Sequence, residues 1–148
     1  MTAGATARWH EVPAPAFAAP LAAVDRWRAE EDGPRTRVDA RLLVRGDDPN
    51  LAGHFPGFPI LPGVFLLESL DQTVRAVFRV MFGAGVGLRE VTRMRFVAPV
   101  LPGGELRWDI RLEPEGDEGV TASAKAYRGG GDAVAATFLA VFGRDSDA

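Results

Sequence analysis

Between Pro62 and Phe82, apolar residues recur at three- and four-residue spacing. Leu66, Leu67, Leu70, Val74, Val77, Phe78 and Met81 fall on one side, which predicts a helix from Pro62 or Gly63 to Phe82. At 1.5 Å per residue such a helix is about 30 Å long. Gly83 to Gly87 ends it, as glycine past a helix terminus does. Elsewhere the period drops to two. Leu106, Trp108, Ile110 and Leu112 interleave with Arg107, Asp109, Arg111 and Glu113, a half-buried strand after the turn at Pro102-Gly103-Gly104. Val38, Ala40 and Leu42 place a strand within Thr36 to Arg45. Val120 to Tyr127 and Ala133 to Phe142 flank Arg128-Gly129-Gly130-Gly131-Asp132, a hairpin signature. Arg89 to Val97 reads as a strand stopped by Pro99. Pro20 to Arg28 reads as a short helix or a strand, and Gly33-Pro34 as a turn. A helix apolar on most sides has to be wrapped. Five or six strands are available to do it, so the expected class is α+β, with a curved antiparallel sheet around one long central helix.

With 148 residues the expectation is one domain, residues 20–142. Residues 1–19, rich in Ala, Pro and Thr, read as a loose N-terminal tail that includes His10, and residues 143–148 as a C-terminal tail. Hydrophobic residues at 47% and charged residues at 25% are the balance of a globular protein. The absence of Cys excludes disulfides, thiolate nucleophiles and Cys-based zinc sites. Two His argue against a histidine-rich metal site. A net charge of −3 argues against nucleic acid as a partner. The longest apolar run, Pro62 to Phe82, carries Glu68, Asp71, Arg75 and Arg79, too many charges for a membrane span. No basic segment followed by an apolar core opens the chain, so no signal peptide and a cytoplasmic location are expected.

The candidate chemistry sits at the helix entrance. Gly53-His54-Phe55-Pro56-Gly57-Phe58-Pro59-Ile60-Leu61-Pro62-Gly63-Val64 holds one histidine in a loop whose glycines bend and whose prolines restrict the backbone on both sides of it. Glu68 follows near the helix start. An imidazole and a carboxyl group on stiff backbone point to acid–base chemistry. The N–H groups that open a helix can bind a developing oxyanion. Glu68, Asp71, Gln72, Arg75 and Arg79 share the polar side of the helix. Two readings of that side stay open: a solvated stripe with an Asp71–Arg75 pair, or a face turned to a partner subunit and a cleft. The glycines at 103–104 and 129–131 open no helix and read as turns, not phosphate loops.

From His54 to Gln72 the sequence resembles the 3-hydroxyacyl-(acyl-carrier-protein) dehydratases of the hot-dog fold. That family's loop reads His-Phe-Pro-Gly-x-Pro-x-x-Pro-Gly-Val, and His54 to Val64 matches every specified position. The family then places Glu, with Gln four residues later, where Glu68 and Gln72 stand. Val24-Asp25-Arg26, Arg95-Phe96 and Pro99-Val100-Leu101-Pro102-Gly103 resemble further family elements, so the likeness spans roughly residues 20 to 142. Glu at position 68 is similar to the dehydratase-only branch. Leu51-Ala52 replace the usual aromatic and polar residues, and Asp71 stands where a small apolar residue is usual.

The resemblance implies removal of water from a 3-hydroxyacyl thioester to give a trans-2-enoyl thioester. His54 would abstract the C2 proton. Glu68, kept protonated by an apolar site or a shared proton, would protonate the leaving hydroxyl. The Gly63 N–H would polarise the thioester carbonyl. Phe55, Phe58 and Val64 would line an apolar acyl tunnel beside the helix. No metal or organic cofactor is implied. The implied partners are an acyl carrier protein, docked on arginines such as Arg75, Arg79, Arg89 and Arg93, and further copies of the chain as a homodimer or trimer of dimers. The departures fit fatty-acid and polyketide or polyene assembly alike. Two alternatives are a hot-dog acyl thioesterase, and a non-catalytic or half-active subunit that pairs with another hot-dog chain.

Overall fold

A computed structural model of the chain describes residues 7–12, 23–44, 63–101, 103–116, 119–129 and 131–145. Its elements run β1 (His10–Glu11), β2 (Arg26–Asp32), β3 (Arg35–Leu43), α1 (Gly63–Phe82), β4 (Val86–Phe96), β5 (Glu105–Glu115), β6 (Gly119–Arg128) and β7 (Ala133–Arg144). The strands form one curved antiparallel sheet in the order β1-β2-β3-β5-β6-β7-β4. Three strands separate β3 from β4 in that order, so α1, which joins them, crosses the inner face of the sheet.

The core is built by opposing large side chains with small ones. One row across the sheet reads Ala40, Trp108, Ala126, Ala136, and the next Val38, Ile110, Ala124, Phe138. All eight are buried. Alternating volumes let neighbouring layers interdigitate at interior density. From α1 come Phe65, Leu66, Leu70, Val74 and Val77, the last three fully buried. Gly83, at φ 63°, closes the helix; its N–H bonds the Arg79 carbonyl and that of Ala84 bonds the Phe78 carbonyl.

Several expectations shift. The segment read as a tail contributes β1, where His10 stacks on buried Trp27 with ring centroids 4.2 Å apart. Trp9 beside it lies under the guanidinium groups of Arg26 and Arg28, 4.6 and 4.7 Å from its centroid. The stretch 20–28, open between helix and strand, enters β2 at Arg26. β4 starts at Val86, before Arg89, and β7 runs through Gly143 and Arg144 into the expected C-terminal tail. Pairing with neighbouring strands holds these ends in place: Val86 opposes Arg144 and Gly87 opposes Gly143. The loop expected from Gly53 to the helix start lies outside the described residues up to residue 62. No helix of the described residues is long and apolar enough to cross a membrane.

Candidate active site at the start of the helix

Helix α1 begins at Gly63, against the Phe96 ring at the end of β4. A Cβ at Gly63 would sit 2.6 Å from Cζ of Phe96, whose ring packs edge-on to Phe138 with centroids 6.0 Å apart. Val64 points outward and is 70% exposed. Glu68 follows one turn later on the same side and is exposed too. The candidate site therefore opens on the exposed side of α1.

The Glu68 carboxyl is not a loose side chain. Its Oε2 accepts a hydrogen bond from Gln72 Nε2 at 2.9 Å, and Gln72 Oε1 accepts one from the Ala23 N–H at 2.9 Å. Behind them Ser69 Oγ donates to the Ala23 carbonyl at 2.6 Å and accepts from Trp108 Nε1 at 2.8 Å. Thr73 Oγ1 donates to the Ser69 carbonyl at 2.7 Å. Ser69 and Thr73 are fully buried polar residues on the apolar side of α1, and hydrogen bonding makes that burial tolerable. Sequence reading assigned neither a role. The available signals were their i, i+4 spacing and the indole N–H of a core tryptophan, which needs a partner.

Of the expected site residues, the structure brings together Gly63, Val64 and Glu68 at one end of α1. His54, Phe55 and Phe58 lie outside the described residues. The polar stripe is mixed: Arg75 Nε bonds Asp71 Oδ2 at 2.9 Å, as the i,i+4 spacing predicts, but the Asp71 side chain is only 16% exposed. Arg75, Arg79, Arg89 and Arg93 are all exposed. Arg89 donates to the Arg144 carbonyl at 2.7 Å. A cleft of about 390 Å³, lined by Arg28, Glu30, Arg37, Asp39, Arg107 and Asp109 among others, is polar and includes no residue of the expected site. Beside it the Arg41 guanidinium is held more firmly protonated than usual, above all by its hydrogen bond to Asp39. Among the described residues no cluster of three His, Asp or Glu side chains is placed to hold a metal ion.

One helix laid on a curved antiparallel sheet, with a carboxyl group near the helix start, defines a protein of the hot-dog fold. Solved structures agree on the fold. A putative thioesterase, yhdA from Lactococcus lactis, superposes with a TM-score of 0.64 at 10% identity over 80% of this chain and 88% of the other. The dehydratase heterocomplex ApeI:P from Xenorhabdus doucetiae gives 0.57 at 21% identity over 78% and 94%. Sequence narrows the class: the ApeI-like family, described as ApeI dehydratase, matches residues 29–130, and the chain belongs to that family. A 3-hydroxyacyl-[acyl-carrier-protein] dehydratase FabZ from Polynucleobacter necessarius subsp. necessarius is 37% identical over 102 residues, 64% of each chain. The chain thus spans a little under two thirds of the length of that curated relative.

Proposed function

We propose that the chain dehydrates a (3R)-3-hydroxyacyl thioester carried on an acyl carrier protein to the trans-2-enoyl thioester, in fatty-acid or polyketide-type biosynthesis. One observation carries this reading. Glu68 and Gln72 stand at the family's spacing after the His54 loop, and their side chains are hydrogen-bonded on the open face of α1.

In this reaction His54 takes the proton from C2, and the electrons of that C–H bond form the C2–C3 double bond. The C3–O bond breaks, and the hydroxyl leaves as water with a proton from Glu68. The Gly63 N–H, at the positive end of α1, stabilises the negative charge that builds on the thioester oxygen. A net proton passes from Glu68 to His54 in each turnover, and solvent or product release returns it.

The site is shared in a homodimer or a trimer of such dimers, with His54 of the partner subunit facing Glu68. The exposure of Val64, Met94, Phe96 and Val97 around the helix start supports this: large apolar side chains grouped in the open favour burial by a second chain. The arginines Arg75, Arg79, Arg89 and Arg93 offer an acidic carrier protein a basic edge. The setting is cytoplasmic.

A second reading has the chain act only beside a different hot-dog chain. It draws on Asp71, whose Oδ1 is buried without a hydrogen-bond partner among the described residues, at a position where the resemblance expects a small apolar residue. A donor on a second chain would satisfy it. The ApeI:P structure, described as a dehydratase heterocomplex, supports it too.

Incubating the purified chain with 3-hydroxyacyl carrier protein and weighing the product tests the reaction and the need for a second chain. Loss of one water supports dehydration. Release of free acid supports a thioesterase and refutes the main reading. Inert alone but active after mixing with a second hot-dog chain is the signature of the paired form.

A further inference from the structure

We propose that the segment Ala23-Val24-Asp25 is the buttress of the site, and that Asp25 is a positioning residue which acts on Glu68 through Ala23 and Gln72. The proposal rests on the dehydratase reading for its kinetic arm alone.

The segment is fastened at both ends. Toward the sheet, Asp25 Oδ2 accepts the Leu43 N–H at 2.6 Å, the Asp25 N–H donates to the Arg41 carbonyl at 2.9 Å, and its carbonyl accepts the Val12 N–H at 2.9 Å. Toward the helix, the Ala23 carbonyl is held by Ser69 and the Ala23 N–H by Gln72. Ala23 and Val24 are 0% and 2% exposed, so the Ala23 carbonyl, held by buried Ser69, is sealed from water, while the Asp25–Leu43 bond lies at the surface.

This fastening settles which way the Gln72 amide faces. A backbone N–H can only donate, so the group opposite Ala23 must be the amide oxygen. The amide nitrogen is then forced toward Glu68, and it donates to Oε2. A flipped amide would set N–H against N–H at Ala23 and oxygen against oxygen at Glu68. One carboxyl oxygen is thereby pinned, which leaves Oε1 to serve the leaving hydroxyl of the proposed reaction. Asp25 touches neither Glu68 nor the reacting atoms; its effect travels through the position of Ala23.

Four variants of the full chain test this: Asp25→Ala, Asp25→Asn, Gln72→Leu and the Asp25→Ala/Gln72→Leu double. Amide hydrogen exchange at Ala23 is read without substrate, and kcat and KM are read with 3-hydroxyacyl carrier protein. Asn keeps an acceptor for the Leu43 N–H, so Asp25→Asn is expected to keep wild-type exchange and turnover. In Asp25→Ala and Gln72→Leu the Ala23 amide exchanges at least about tenfold faster. Displacement of the acid lowers kcat about 10- to 100-fold while KM moves less than about twofold. Adding Asp25→Ala to Gln72→Leu costs little further turnover, because both act through one amide. Unchanged Ala23 exchange in Gln72→Leu overturns the buttress, as do fully additive losses in kcat. An Asp25→Ala chain that fails to fold leaves the decision to Asp25→Asn and Gln72→Leu. A wild-type chain with no dehydration sinks the proposed function, and the exchange arm still decides the fastening.

Discussion

Replacing Ser69 by alanine removes one oxygen from the centre of the core and strands two groups. The Trp108 indole N–H loses its acceptor at 2.8 Å and the Ala23 carbonyl loses its donor at 2.6 Å. Both residues are 0% exposed, so neither group regains water. A buried polar group left without a partner costs about 1–3 kcal/mol, and two cost about 2–6 kcal/mol. Alanine returns up to about 0.5 kcal/mol through helix propensity, and the loss settles near 3 kcal/mol. In a domain of this size that lowers Tm by roughly 6–12 °C. Urea unfolding followed by far-UV circular dichroism measures it, at one protein concentration because association would add to the apparent stability. A second background sharpens the test. Trp108→Phe deletes the indole N–H, so Ser69→Ala in that background strands only the Ala23 carbonyl and costs about 1 kcal/mol less. Equal costs in the two backgrounds would refute the claim that Ser69 serves Trp108. A loss below about 1 kcal/mol would refute the claim that both groups are sealed from water.

Glu68→Gln and His54→Ala are each expected to abolish dehydration while leaving circular dichroism and assembly unchanged; near-normal turnover in either contradicts its assigned role. Gly63→Ala forces the Phe96 ring aside from its 2.6 Å approach; Phe96 is half exposed and can swing, so stability changes by less than about 1 kcal/mol. Turnover is expected to fall at least about tenfold, because the added methyl and the displaced Phe96 ring crowd a thioester seated at the Gly63 N–H; a fully active Gly63→Ala variant contradicts that seat. Gly33 turns β2 into β3 at φ 63°, a conformation that costs an L side chain about 1–2 kcal/mol. Gly33→Ala should therefore lower urea stability by about that much with kcat untouched.

How much of this was legible in the chain depends on where the instruction is local. The bounds of α1 follow from apolar spacing and from Gly83, and the structure starts the helix at Gly63 and ends it at Phe82. β5 follows from strict alternation, and β6 and β7 from the glycine-rich hairpin signal between them. β1 carries no periodic pattern; two residues pair with β2 because His10 finds Trp27 and Trp9 finds arginines from two other strands, which is tertiary information. The start of β4 is hard to read because its alternation breaks twice. At the site, motif spacing located Glu68 and Gln72 but not the bond between them. Nor could it show that Ala23, distant in sequence, dictates the amide's direction. The roles of Ser69 and Thr73 on the apolar side of α1 are not legible from these two residues alone, because their partners come from Trp108 and the backbone.

The breaks in β4 bear on the life of a newly made chain. Register slips between Leu88 and Glu90 and again between Val91 and Arg93, and every residue from Thr92 to Phe96 is exposed. An eleven-residue strand at the rim of a sheet, carrying Met94 and Phe96, is a template for indiscriminate stacking with other chains. Two kinks and the charges of Arg89, Glu90, Arg93 and Arg95 spoil that template for flat, unselective strands. They leave it usable by a surface whose shape and charges match. A newly made chain can thus stay dispersed, and straightening this strand would trade that dispersal for precipitation.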